Sequence, residues 1–134
     1  MQTDVCAAQG GDSDEELVAY YLDWTNDAVS ELAGLIASVG TEPDPELQQK
    51  VYEICHNIKG MGTSFGFPLM TEAGTTICCY LRRLKNEPMD RPLLDAHLKS
   101  FQLVLAKRMV GDGGQIGSEL INRLNQLVEH MLSE

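Results

Sequence analysis

The segment His56-Asn57-Ile58-Lys59-Gly60 carries the residue types best suited to chemistry in this chain. At about 100° per residue, His56 lies roughly 160° around the helix from the apolar Ile58, so its imidazole is expected to point away from the core. Lys59 and Gly60 follow three and four residues later, on the same helical face. A neutral imidazole is a nucleophile and an ammonium group attracts anions, so this face predicts reaction with an anionic group.

Gly60 is an unexpected residue for the interior of a helix. A glycine there costs roughly 0.5–1 kcal/mol relative to alanine. Helical side chains lean toward the N-terminus, so a larger residue at position 60 would shade the surface beside His56. The glycine therefore predicts that something bulky must reach the imidazole.

The elements that must position these residues are helices. Apolar residues recur at alternating steps of three and four, and no window alternates with period two. We predict an all-α fold: an antiparallel four-helix bundle with helices near 44–65, 67–86, 91–110 and 117–132, plus an N-terminal helix near 14–39. Residues 1–12 are predicted as a flexible tail and residues 13–134 as a single domain.

Local signals suggest where the helices begin and end. The run Ser13-Asp14-Glu15-Glu16 resembles a capping box, Asp44-Pro45 an N-cap followed by proline, and Gly66 a C-terminal stop. The start of the last helix has two candidates, a cap at Asp112 or a start near Gly117. Glycines in a first turn each cost about 1 kcal/mol, which favours the later start.

The charge balance excludes several classes of function. The 134 residues contain 10 Lys and Arg against 20 Asp and Glu, a net charge of −10, which disfavours binding to nucleic acid or anionic lipid. Residues 1–50 hold 11 of the acidic residues and one basic residue, so the half that contains His56 is balanced. No apolar run approaches the roughly 20 residues that span a bilayer, and no signal-peptide pattern is present, which predicts a cytoplasmic protein.

The other histidines and the cysteines have simpler interpretations. His97 is predicted at the boundary of the core, and His130 near a helix C-terminus, where a cation is favourable. Neighbouring residues on a helix diverge by about 100°, so adjacent cysteines cannot chelate a metal, and no metal or cofactor is predicted. The cysteines are expected as free thiols with apolar or surface roles: Cys6, Cys55, Cys78 and Cys79.

The motif around His56 resembles that of the histidine-phosphotransfer (HPt) domain family. The family signature is H-x-x-K-G followed by five residues and a glycine, and it matches His56, Lys59, Gly60 and Gly66. The likeness extends to length and predicted architecture over about residues 14–132. The sequence departs from the commonest form of the motif at three positions, Cys55, Asn57 and Met61.

This resemblance implies a phosphocarrier without kinase activity. His56 would accept a phosphoryl group on Nε2 from the aspartyl phosphate of a response-regulator receiver domain and return it to another receiver. Lys59 would stabilise the phosphoryl charge and Gly60 would give access. Mg²⁺ is expected on the receiver, a hybrid histidine kinase is expected upstream, and the chain is expected to be monomeric. The alternative is a non-catalytic helical protein that binds a receiver or histidine kinase as a regulator.

A count along the hairpin of the second and third helices predicts the surroundings of His56. It places His56 level with Ile77 and Lys59 level with Gly74, so that Gly74 and Cys78 would flank His56. We expect a receiver to dock across the margins of the second helix and the edge of the third. The predicted partner-binding residues are Ile58, Gly62, Thr63, Phe65, Gly74 and Cys78.

Overall fold

The predicted all-α class is confirmed. A computed structural model describes residues 10–133, with side chains from Glu15 onward, and no strand occurs among them. Five α-helices and one 3₁₀ turn follow in order: α1 Gly10–Ala37, α2 Pro45–Gly62, the 3₁₀ turn Thr63–Phe65, α3 Pro68–Arg83, α4 Arg91–Ala106 and α5 Gly114–Leu132. None of these helices is long and apolar enough to cross a membrane.

The N-terminal helix has a more central place than predicted. Helix α1 packs against both α2 and α4, so the contacts α1–α2, α2–α3, α3–α4 and α4–α1 form a ring. Helix α5 packs against α3 and α4, with no contact to α2 in the described region. The reason is the apolar face of α1, where Tyr21, Leu32 and Ile36 are all buried. Helix α1 therefore supplies core residues, and α5 packs against two of the four helices in the ring.

The start of α1 lies upstream of the predicted cap. The helix begins at Gly10, so Ser13 lies inside it and residues 10–12 are helical rather than part of a tail. A capping pattern makes a start favourable, but nothing in Gly10–Asp12 prevents another turn before it. The predicted tail at residues 1–9 lies outside the described residues.

Helices α2, α3 and α4 end earlier in the sequence than predicted. Gly66, with φ of 89°, stops the second helix as expected, but the α-helical part ends at Gly62 and the remainder is the 3₁₀ turn. Helix α3 ends at Arg83 because Leu84 is extended. Helix α4 ends at Ala106, and a turn follows in which Arg108 has φ of 48°.

The predicted start of the last helix at Gly117 is wrong, because α5 begins at Gly114. Gly113 precedes it in the left-handed conformation, with φ of 70°. A Cβ on Gly117 would overlap the carbonyl oxygen of Asp112. The glycines are thus required by the tight turn and by close backbone contact, which outweigh their poor helix propensity.

The prediction for His97 is also wrong. Its side chain is 0% exposed, among the core residues of α4, rather than at the boundary. The Nδ1 atom lies 2.9 Å from the carbonyl oxygen of Leu93, one turn earlier. A carbonyl can only accept, so Nδ1 carries the proton, and this bond allows a neutral imidazole to be buried.

Candidate functional site

His56 is exposed on α2, as its helical phase predicts. Its ring stacks on that of Tyr52, one turn earlier, with ring centroids 5.7 Å apart and an interplanar angle of 18°. Tyr52 is half-buried and packs against the core. The sequence analysis did not identify Tyr52 as part of the site, although two aromatic rings four residues apart on a helix are expected to meet.

The space beside Gly60 is open. A Cβ built on Gly60 would have no neighbouring atom within 4 Å. By contrast, a Cβ on Gly62 would lie 2.7 Å from the Thr71 hydroxyl, and one on Gly74 would lie 2.7 Å from Lys59 Cβ. Packing between α2 and α3 explains Gly62 and Gly74, but no packing contact explains Gly60.

Lys59 lies where α2 packs closely against α3. Its backbone and Cβ contact Gly74, so the predicted level of this pair is confirmed. The same contact makes Lys59 half-buried, with its stem directed toward α3, and Gly74 faces Lys59 rather than His56. Its ammonium group forms no ion pair within residues 15–133. It is therefore a cation without an ion-pair partner in the described region, three residues from His56 along α2.

Two buried thiols lie at this helix contact. Cys55 is 0% exposed and Cys78 is 2% exposed. Burial raises the pKa of the Cys55 thiol well above its usual range. Burial likewise raises the pKa of Cys78 to about 11, and the positive charges of Lys59 and Arg82 oppose that rise. Both residues are protonated at neutral pH and act as apolar packing; Cys79 is half-buried, and Cys6 lies outside the described residues.

Four of the six predicted partner-binding residues cannot form a docking surface. Ile58 is 0% exposed because it faces the core, and Cys78 and the glycines Gly62 and Gly74 are buried where α2 and α3 meet. The predictions for these four are therefore wrong.

The other two predicted docking residues remain accessible. Thr63 is exposed. Phe65 is half-buried and stacks on Tyr21, with ring centroids 4.8 Å apart and an interplanar angle of 12°. Only these two of the predicted set could meet a partner.

A cavity of about 180 Å³ lies between α1 and α2; Asn57 lines it, but the neighbouring His56 does not. Trp24 lines it, together with the carboxylates of Asp27 and Glu31. The Trp24 side chain is only partly buried.

Thr71 of α3 holds the end of the helix that carries His56. Its hydroxyl donates to the carbonyl oxygen of Lys59 at 2.9 Å and accepts from the backbone N–H of Thr63 at 2.9 Å. The Thr71 hydroxyl thus bridges one carbonyl and one amide group of the backbone where α2 changes to the 3₁₀ turn. The buried Gly62 leaves room for it.

Replacing Thr71 with valine, which keeps the shape and removes the hydroxyl, should lower the free energy of unfolding by about 1 kcal/mol. The change leaves the Lys59 carbonyl and the Thr63 N–H without their bridge, so the Thr63 amide should also exchange its hydrogen faster. Thr75→Val is the matched control, because the Thr75 hydroxyl only bonds the Thr71 carbonyl of its own helix. Urea unfolding and amide exchange measure both effects, and equal losses in the two variants would contradict this role of Thr71.

Neither a metal-binding group in the described part of the chain nor a similar protein was found that would identify the site. Among residues 15–133, no group of three or more His, Cys, Asp or Glu side chains could hold a metal ion. Comparisons with protein-family models, curated proteins and solved structures found no match to the chain.

Proposed function

We propose that this chain is a histidine-containing phosphotransfer protein of a two-component phosphorelay. His56 accepts a phosphoryl group from the aspartyl phosphate of one response-regulator receiver domain and passes it to another. The protein is a phosphocarrier and not a kinase, and a hybrid histidine kinase supplies the phosphoryl group upstream. Such relays operate in the cytoplasm, where we expect the protein.

The observation that carries the proposal is the exposed His56 imidazole beside a glycine that packing does not require. A structural histidine needs no clearance one turn further along its helix. A histidine that must meet the active site of another protein needs that clearance, because the aspartate of a receiver is part of a bulky domain. The H-x-x-K-G spacing places these two residues on one face.

The transfer needs only positioning and compensating charge. The lone pair of the His56 Nε2 forms the N–P bond, the P–O bond to the aspartate breaks, and its electron pair leaves with the carboxylate. No proton has to move in that step, and the ring becomes an N-phosphoryl imidazolium. Lys59 is the basic residue nearest to His56 in the sequence, and we propose that its charge compensates the phosphoryl oxygens. Mg²⁺ is expected on the receiver.

The experiment that tests the proposal offers the purified protein to phosphorylated receivers in the presence of Mg²⁺. Label should appear on the protein and should be stable to base and labile to acid, as a phosphorylated histidine is. A chain that binds receivers without taking label would support the alternative, a regulator that docks on a receiver or kinase.

Changing Gly60 to leucine should slow phosphotransfer by about 100-fold, because the side chain leans toward His56 and displaces the incoming group. Gly34→Leu is the matched control, since Gly34 is also a helical glycine whose Cβ would meet nothing within 4 Å. Both changes should raise the free energy of unfolding by about 0.5–1 kcal/mol. Transfer rates and urea unfolding separate the two effects, and equal transfer by both variants would remove the steric role of Gly60.

A further inference from the structure

The ring of Tyr52 stacks against the His56 imidazole in an offset arrangement. The two rings are nearly parallel, at 18°, with centroids 5.7 Å apart. Tyr52 is itself held in place, because it is half-buried and packs against the core. The side chain on which the exposed His56 rests is therefore fixed by the fold.

The stack restricts the ring without blocking its reactive edge. The lone pair of an imidazole nitrogen lies in the plane of the ring, whereas Tyr52 contacts the face. On the C-terminal side, one turn from His56, the space at Gly60 is open. The imidazole thus has the Tyr52 ring on its N-terminal side and the open space at Gly60 on its C-terminal side. The edge of the imidazole ring remains available to an incoming phosphorus atom.

The stack also matches the charge that phosphorylation creates. When Nε2 attacks while Nδ1 keeps its proton, the ring becomes positively charged as the N–P bond forms. The face of an aromatic ring attracts a cation, by about 0.5–1 kcal/mol at an exposed site. Tyr52 would therefore favour the transition state over the neutral ground state.

From this geometry we infer that Tyr52 is a positioning residue for phosphorylation of His56, and that it acts through the face of its ring. The inference rests on the proposed function, because it assigns a role within the same site. It predicts that a phenylalanine can replace Tyr52 and that an aliphatic residue cannot.

The test uses phosphoramidate as the phosphoryl donor, so that no receiver is needed. The P–N bond of the donor breaks, ammonia leaves, and the N–P bond to His56 forms. We expect Tyr52→Leu to be phosphorylated about threefold more slowly than wild type. Tyr52→Phe should match wild type, and His56→Gln provides the background from other histidines.

A second measurement reports on the stack in the unphosphorylated protein. The ring protons of His56 should resonate upfield in wild type and in Tyr52→Phe, because they lie over an aromatic ring, and should lose that shift in Tyr52→Leu. Thermal unfolding followed by circular dichroism checks that the variants fold, and Tyr52→Met replaces the leucine variant if that one does not.

Three results would overturn the inference. If wild type and Tyr52→Leu give the same His56 ring shifts, the stack is absent in solution. If the shift is lost but the rate is unchanged, the stack is only packing. If Tyr52→Phe is as slow as Tyr52→Leu, the hydroxyl and not the ring face is responsible. Failure of the proposed function looks different, because receivers would then not label wild type while the phosphoramidate results stand.

Discussion

A His56→Gln variant should take up no acid-labile, base-stable label from phosphorylated receivers, while wild type is labelled. Glutamine keeps a polar, exposed side chain of comparable length but has no nucleophilic nitrogen, because the lone pair of an amide nitrogen is delocalised into its carbonyl. His56 is exposed on α2, so the substitution removes no core contact. Loss of label would therefore report on chemistry rather than on folding.

The matched control is His130→Gln, which changes the exposed histidine in the last turn of α5. We expect this variant to be labelled like wild type, and urea unfolding checks that both variants are folded. Continued labelling of His56→Gln at the wild-type level would place the phosphoacceptor elsewhere and contradict the proposed function.

Acidification should destabilise the protein through His97. Burial lowers the pKa of His97 to about 4, and the hydrogen bond with the Leu93 carbonyl opposes this only partly. The Nε2 atom is buried with no hydrogen-bond partner among the described residues, so a second proton there would be unpartnered. The folded protein therefore resists protonation of this ring.

The sign of the effect follows from the two pKa values. Above about pH 6.5 the ring is neutral in both states and contributes no pH dependence. Below that pH the unfolded chain binds a proton and the folded chain does not until about pH 4. The free energy of unfolding should fall by about 3 kcal/mol over this window because of His97 alone.

The measurement compares wild type with His97→Leu by urea unfolding at pH 7 and pH 4.5. Leucine fills the site and cannot be protonated, so its stability should fall by about 2–3 kcal/mol less than that of wild type. The carboxylates titrate in both proteins and cancel in the comparison. Between pH 7 and pH 8 the two curves should run parallel. Equal losses at acid pH would show that His97 is not buried as a neutral ring.

The sequence predicted most of the helices because their signals are local. The three-and-four spacing of apolar residues depends only on the geometry of one helix, and so does the stop at Gly66, where φ is positive. The outward phase of His56 follows from the same periodicity. Each of these inferences needs no knowledge of a neighbouring helix.

The predictions were wrong where packing against another helix determines the burial of a residue or the start of a helix. Ile58, Gly62, Gly74 and Cys78 were predicted to line a docking surface, yet the packing of α2 against α3 and the core buries them. The start of α5 differs from the prediction because Gly117 is required by close contact with Asp112 and Gly113 by its left-handed backbone, which helix propensity does not describe. His97 was placed at the boundary because its burial depends on the packing of the whole bundle.

The sequence by itself determined the all-α class. It also determined that His56 is exposed and that Lys59 and Gly60 follow it one turn later, since helical periodicity sets which residues share a face. The tertiary structure alone decided which glycines serve packing and which does not. It also decided that α1 belongs to the ring of helices, that Thr71 supports the end of α2, and that His97 is buried. These features depend on distances between residues remote in sequence, which only the packed helices define.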